Sequence, residues 1–566
     1  MKKYFTKLNI VICIIGIICV IFSSIFVFNS DLLKGVDTEY HMSRIIGITN
    51  SWKSGDFFAF IHLDSENYGY AIGFFYSNLF MILPSILYLL GTNIILIYKI
   101  IIVICGICTA ISMFVCVKKI TKNKYASTIS MVLYTLSSYR IITMVAKGFL
   151  GELFSFIFIP LIILGLYEII WGDEKKWYFL SIGFIGILNS NLVMTEIMIV
   201  VSFAFVIFNL PRLLNIANHH IIDCTRFKAL LKGIIWSLLI STAFWLPMLE
   251  QLVNSTFKMK DLVEWYNPRY WTIEFVNLFW GTIQYKNNLA ASYGLGIIFI
   301  IILIFRLRIK EKNNIIKFCD ICILSGLLLI LPMTEIFPWK YLGNIGGTLQ
   351  FPSRLEVPIT AFFSIACGII CMNIKKKNIR YFVMFLIILW EIISSFIVLN
   401  SCIDALKKYY HTDNMDELLV KEDFKYDICD GVYLPQNAKH YSTKINEDIV
   451  RINTNNKNLK LSYDKNTSTL YFSNNYEDDS YVDIPKYYYY GYVAEGNGIN
   501  YEIGEGENGQ IRVLLKGQSG EIKIYYKTTI LQIIALVISI IAILAGGING
   551  CAKIYSKRIK SKKVQI

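Results

Sequence analysis

Charge is what this sequence has least of. Only 17% of its 566 residues are Asp, Glu, Lys or Arg, where a soluble chain usually carries about a quarter. Hydrophobic residues make up 55% and the mean hydropathy is +0.51. That balance excludes a cytosolic enzyme, a disordered tail protein and a fibrous protein, and it fits a polytopic helical membrane protein. Glycine-rich phosphate loops of the Walker or dinucleotide type are missing, so nothing marks an ATP-driven pump. A zinc set is missing too: His219 and His220 stand together with no further ligands nearby. Of the 13 cysteines, most lie inside apolar runs, where thiols act as small hydrophobes. Cys105/Cys108 and Cys319/Cys322 have redox-like spacing, but i and i+3 positions on a buried helix account for it. Cys402 and Cys429 fall near a candidate external domain and could pair.

The charge that is present is unevenly placed. The formal net charge is +14, yet residues 402–527 hold 15 Lys+Arg against 20 Asp+Glu. A basic membrane part with a mildly acidic insert argues for positive inside loops rather than for nucleic-acid binding. A span needs about 20 apolar residues. The basic clusters at Lys2–Lys3, Lys118–Lys124, Lys175–Lys176, Arg212–Lys232, Arg306–Lys317, Lys375–Arg380 and Lys553–Lys563, all placed inside, fix the parity. Twelve spans follow: 9–28, 94–117, 126–145, 153–171, 177–192, 194–210, 233–249, 292–307, 316–333, 357–373, 381–400 and 528–550. Parity requires one apolar stretch not to cross, and 71–90, with its glycines, Pro84 and aromatics, is assigned to the outer interface. No small-x-small cleavage pattern follows 9–28, so it is expected to be a retained first helix.

The expected fold is mainly α: a transmembrane helical bundle over residues 1–401, a small β-rich domain over 402–527, and a final helix with a basic tail over 528–566. Both termini are placed in the cytoplasm and the β domain outside, in the cell membrane. Two hairpins are predicted in the insert, Leu459–Tyr463 with Thr469–Phe472, and 511–515 with 522–526 around Gly517-Gln518-Ser519-Gly520.

Ionisable residues beside a membrane are costly and default to function. After the first span stand Asp37, Glu39, His41 and Arg44. An Asp beside aromatics can act as general base on an alcohol, and Asp37 with Glu39 could hold a divalent cation, Mg2+ or Mn2+. A solvated loop cap is the alternative. Arg140, Lys147 and Glu152 return to the same face. Snorkelling explains the lysine equally well, and a helix-dipole partner explains Glu152. Gln350, Phe351, Pro352, Ser353 and Arg354 close the last outer loop. Arg354 sits on the external side against the positive-inside trend and offers bidentate hydrogen bonds to a lipid phosphate. A pair with Glu356 or Asp37 is the alternative. The Tyr487–Tyr492 run could stack on sugars or fill a β core.

These segments together carry a resemblance. Asp37-x3-His41-x2-Arg44, Gly69-Tyr70, Phe74-Phe75-Tyr76, Gly151-Glu152 before Pro160-Leu161, Phe244-Trp245-Leu246-Pro247, Leu349-Gln350-Phe351-Pro352-Ser353-Arg354 and Gly431-Val432-Tyr433-Leu434-Pro435 resemble the YfhO-like bacterial membrane proteins. They also resemble the related set called 6-pyruvoyl-tetrahydropterin synthase-related, a label that implies no pterin chemistry without a zinc-binding His set. Ser353, Asn191 and Val432 depart from the pattern. Both families resemble the GT-C membrane glycosyltransferases. That resemblance implies a polyprenyl-phosphate sugar donor used on the outer face, an extracytoplasmic glycan or lipid acceptor such as a teichoic acid, and membrane lipids around the chain. It implies Asp37 as base or metal ligand, with Glu39 and His41 beside it. It implies Arg354, Lys147 and Arg140 on the lipid phosphate, with Arg44, Glu152 and Gln350 near the substrate. The competing readings are a flippase for lipid-linked sugars, which predicts charges deep in mid-helix (Glu196 and Asp320 are the candidates), and a non-catalytic envelope scaffold.

Overall fold

The computed structural model describes residues 7–63, 68–214, 224–260, 268–275, 278, 283–286, 289–293, 295–342, 347–421, 428, 431–438, 451–473, 480–496, 498–516 and 519–563. Cys429, His219, His220, Gly517 and Gln518 lie outside them, so the Cys402–Cys429 pairing does too. Cys402 is a buried free thiol.

Apolar runs become helices because a low-dielectric surrounding leaves backbone N–H and C=O groups no other partner. Where such a run starts, asparagine is the usual stop on the orphan N–H groups. Asn93, Asn123, Asn191 and Asn313 each cap the helix that follows, accepting from Ile95, Tyr125, Met194 and Ile316 N–H at 2.8–2.9 Å. Among the described residues six helices have the length and apolar composition to cross a membrane: Ile94–Thr121, Leu150–Ile170, Asn314–Met333, Pro352–Met372, Lys377–Tyr410 and Ile530–Ile548. Two bent pairs raise the number to eight, Lys124–Thr135 with Ser138–Lys147 at 40° and Thr225–Ile240 with Thr242–Asn254 at 68°. The chain is a multi-pass membrane protein. Other expected spans are short apolar helices, namely Leu8–Ser23, Tyr178–Leu188, Leu192–Phe208 and Ile297–Ile304. At 1.5 Å per residue the last is about 12 Å long, well under the ~30 Å hydrocarbon core. Within 71–90 the longest apolar helix is Leu79–Leu89, also short of that thickness.

The described residues gather in two compact units that run across the sequence divisions at 401 and 527. The first takes Met1–Thr49, Leu79–Gly233 and Asp261–Asp427. Its centre is Pro352–Met372, whose apolar window is 94% buried, with Leu150–Ile170 at 78%. Lys377–Tyr410 lies at its rim at 22%, presenting Phe382, Phe385, Trp390 and Ile397 outward. Such a helix is dressed for lipid on one face and for packing on the other. Leu32–Leu33 pairs antiparallel with Leu419–Val420, tying the start of the first outer segment to the residues after Lys377–Tyr410.

The second unit takes Asn50–Asn78, Ile234–Lys260 and Ile428–Ile566. It holds two antiparallel sheets. One orders strands 499–501, 492–496, 519–526, 469–473 and 460–464 side by side; the other orders 503–505, 510–515, 480–487 and 453–454. The 460–464/469–473 hairpin forms as expected, with Lys460 opposite Ser473 and Asp464 opposite Thr469. The other does not. Strand 510–515 pairs with 480–487, and 519–526 pairs with 469–473 and 492–496, so the two strands belong to different sheets. Alternation explains why: Ile511, Val513 and Leu515 are buried on one strand and Ile522 and Ile524 on the other. Each strand needs a buried face, and two sheets supply both. Asp483, fully buried, takes a bidentate hydrogen bond from Arg512 at 2.7 and 2.8 Å inside the second sheet. The tyrosine run is mostly core: Tyr487, Tyr489 and Tyr492 are buried and only Tyr490 is exposed. Gln532 at the head of the last helix donates to Glu250 at 2.8 Å and to the Tyr526 hydroxyl at 2.7 Å.

Candidate active site

Three helix starts meet in the first unit. Asp37 precedes Thr38–Lys53, and its carbonyl accepts the His41 N–H at 3.1 Å, which puts it at the capping position. Leu150–Ile170 starts after a π-helical turn, Thr143–Lys147, closed by Gly148 N–H on the Thr143 carbonyl. Glu356–Met372 follows the 3-10 turn Pro352–Leu355 that carries Arg354. Helix starts present unsatisfied N–H groups and partial positive charge, a suitable seat for an anion.

Backbone contacts lock the first two together. Val36 and Asp37 N–H groups donate to the Ala146 and Lys147 carbonyls at 3.1 and 2.9 Å. Two glycines make the approach possible. A Cβ on Gly35 would sit 2.7 Å from the Gly148 nitrogen, and one on Gly148, at φ +68, would sit 2.6 Å from Thr38 Oγ1. His41 completes the joint. Its Nε2 accepts the Leu150 N–H at 3.2 Å and its Nδ1 lies 3.5 Å from Arg44. Burial and the Arg44 charge hold the imidazole well below its ordinary value of 6.5, so it stays neutral at physiological pH. Both ring nitrogens face protein groups, an arrangement that positions helices.

The third start joins through side chains. Lys147, buried, donates to the Tyr139 hydroxyl at 2.9 Å and to Ser353 Oγ at 3.4 Å, and lies over the Tyr139 ring 4.5 Å from its centroid. Arg354 pairs with Glu152 at 3.4 Å and donates through Nη1 to the Gln350 side chain and to the Leu349 carbonyl. Glu152 is fully buried and also accepts from Thr143 Oγ1 at 3.3 Å. Glu356 is fully buried as well. The charges acting on Lys147 are Glu152, Arg354, Glu356 and Asp37. So Asp37, Lys147, Glu152, Gln350 and Arg354 belong to one cluster, where two cations face carboxylates on dry ground. Arg354 has Glu152 as its ion-pair partner, which sequence reasoning did not name for it.

Two expected residues are directed elsewhere. Glu39 forms an ion pair with Lys34 at 2.8 Å. Among the described residues no three His, Cys, Asp or Glu side chains gather as a metal set, and Glu39 turned to Lys34 does not reinforce Asp37 as a cation ligand. Arg140 is fully buried but donates to the Thr135 carbonyl at 3.1 Å, and the groups acting on its charge, Cys105 and Tyr134, are not shared with Lys147. Sequence reasoning gave no role to the π turn, to Thr143, or to Phe149, whose ring centroid lies 5.5 Å from Lys147 Nζ and 6.0 Å from Arg354 Cζ. The only signal was a hydroxyl and an aromatic flanking Lys147. The mid-helix candidates are both engaged: Asp320 takes a bidentate contact from Arg306 at 2.6 and 2.8 Å, and Glu196 accepts from Thr348 at 2.7 Å.

No family model matches the chain, and no curated protein matches it. Among solved structures, a cryo-electron-microscopy structure of the arabinofuranosyltransferase AftD from Mycobacteria is similar over 68% of this chain, at 12% identity and a TM-score of 0.41. The chain spans 26% of that protein's length.

Proposed function

We propose that the chain is a membrane glycosyltransferase that takes a sugar from a polyprenyl-phosphate donor and passes it to an extracytoplasmic glycan or lipid acceptor, teichoic acid among the candidates. The motif resemblance supplies the class. The observation that carries the reading is the cluster itself: Lys147 and Arg354 lie at three helix starts, with Asp37 among the charges that act on Lys147. A phosphate diester at that spot meets two cations and partial positive charge.

In this reading Asp37 takes the proton from an acceptor hydroxyl. The oxygen attacks the anomeric carbon, the bond to the lipid phosphate breaks, and the phosphate leaves against Lys147 and Arg354. A single displacement inverts the anomeric centre. The donor's phosphate linkage supplies the driving force, so no nucleotide loop is needed. Asp37 alone does not make a cation site while Glu39 is paired with Lys34, so no step is routed through a metal. The side of the membrane follows from charge. Pro352–Met372 has Arg354 at one end and the Lys375–Arg380 cluster just past the other, about 30 Å away at 1.5 Å per residue. Positive-inside placement then puts the cluster in the cytoplasm and the site outside, with the termini inside and the β domain outside.

The donor half is tested by binding a polyprenyl phosphate to the purified protein, read by calorimetry. Wild type should bind, and Lys147→Met, which removes a charge, and Arg354→Lys, which keeps the charge and loses the guanidinium fork, should each weaken binding about tenfold, which is ~1.4 kcal/mol. Equal affinity in all three proteins sinks the assignment.

A further inference from the structure

Arg140 carries a charge that the proposed transfer does not use. It stands on the short helix Ser138–Ile142, in the second limb of a bent apolar pair, and none of it is exposed. Nη1 donates to the Thr135 carbonyl, while among the described residues Nε and Nη2 have no hydrogen-bond partner. Cys105 and Tyr134 are the groups acting on the charge; neither is a carboxylate. A guanidinium stranded in this way is costly, and ionisable groups within a helical membrane bundle generally have a counter-charge.

The surroundings supply further donors. A Cβ on Gly106 would sit 3.3 Å from Val20 Cγ1, 3.4 Å from Arg140 Nη2 and 3.7 Å from Ser24 Oγ, so Nη2 and Oγ face one narrow notch at the glycine, too tight for a Cβ unless a neighbour gives way. Ser24 Oγ is buried and has no hydrogen-bond partner among the described residues. The same is true of Thr109 Oγ1, one turn along from Gly106 on the same helix face, and of Thr135 Oγ1, whose own carbonyl holds the guanidinium. Five buried polar atoms able to donate thus stand without a partner around one residue. Lys147 donates to Tyr139 and Ser353 and Arg354 pairs with Glu152, while Arg140 donates to the Thr135 carbonyl and has no ion-pair partner among the described residues, so this is a second place and not an edge of the first.

We propose that Arg140 Nε and Nη2, with the Ser24 and Thr109 hydroxyls beside Gly106, form an enclosed site for one small inorganic anion of halide size. A cation is excluded by the guanidinium. A phosphate ester is excluded by the enclosure, since Arg140 has no exposed surface and a Cβ at Gly106 already meets Val20 and Arg140 at 3.3 and 3.4 Å. The ion balances the charge and holds the first helix and Ile94–Thr121 onto the bent pair.

Thermal unfolding of the full chain in detergent tests this. Sodium gluconate is exchanged for sodium chloride or bromide at constant ionic strength. A ligand that binds only the folded state stabilises it in a saturable way. The wild type should gain on the order of 5 °C at saturation. Gly106→Val, which fills the notch and keeps the arginine, should remove most of the gain, as should Arg140→Gln if it folds. In bromide, an anomalous-scattering peak should lie beside Nη2. A wild-type midpoint that is the same in chloride and gluconate overturns the proposal. So does a gain that survives in Gly106→Val, or a bromide peak elsewhere.

Discussion

At the residue scale the informative groups are those buried against their nature. Glu152 and Arg354 stabilise each other only as a pair, since one alone is an uncompensated charge. Glu152→Ala should therefore cost about 3–5 kcal/mol. Glu152→Leu with Arg354→Met should cost much less than the two single changes together, a coupling that thermal unfolding of all four proteins would read. His41 gives a pH signature. Its folded-state value is depressed, so the unfolded chain binds the proton more readily and stability is full above pH 6.5 and lost as pH falls below it. His41→Gln should flatten that acid limb; an unchanged limb would assign it to other groups. Asp37, Lys147, Glu152 and Arg354 were legible in the sequence because charge is conspicuous beside apolar runs. The Arg354–Glu152 partnership was not legible, because the two lie 202 positions apart and only packing brings them together. Glu39 looked like the natural companion of Asp37 at i+2, but that spacing on a helix start points the two apart and leaves Glu39 to Lys34.

At the scale of elements, the joint between Thr38–Lys53 and the π turn rests on two glycines. Gly148→Ala places a Cβ against Thr38 and asks an L residue to hold φ +68. Strain and overpacking together should cost about 2–4 kcal/mol. Donor transfer should fall more steeply than stability, because Asp37 hangs from the Lys147 carbonyl. An Ala variant as stable and as active as wild type would show that the joint is not needed. Helix starts read well from the sequence: spans expected from 94, 126 and 316 begin at Ile94, Lys124 and Asn314, although the asparagine caps before them were not foreseen. The strands read less well. The hairpin expected at 511–526 has both correct strands and a wrong partnership, because local turn residues cannot reveal that two sheets compete for the same pair. Span lengths were overestimated where an apolar run is broken, as at Ile297–Ile304, since apolar composition does not report where the backbone stops being helical.

At the scale of the whole molecule, the account predicts sidedness. Single cysteines at Lys122, Lys312 or Lys375 should react with an impermeant maleimide only after permeabilisation, and one at Thr467 should react in intact cells; the reverse pattern would invert the proposed topology. The class of protein was plain from composition. The meeting of three helix starts was not, because it depends on contacts between segments more than a hundred residues apart. The central claim is that Asp37 does the chemistry where Lys147 and Arg354 hold the leaving phosphate. Its most direct measurement is sugar transfer by the reconstituted protein from a panel of polyprenyl-phosphate sugars, wild type against Asp37→Asn. Wild type should transfer sugar and the variant should lose about 10²–10⁴-fold, with the fold and polyprenyl-phosphate binding intact. Full activity in Asp37→Asn, or a wild type that scrambles lipid-linked sugars across the bilayer without transferring any, would contradict it.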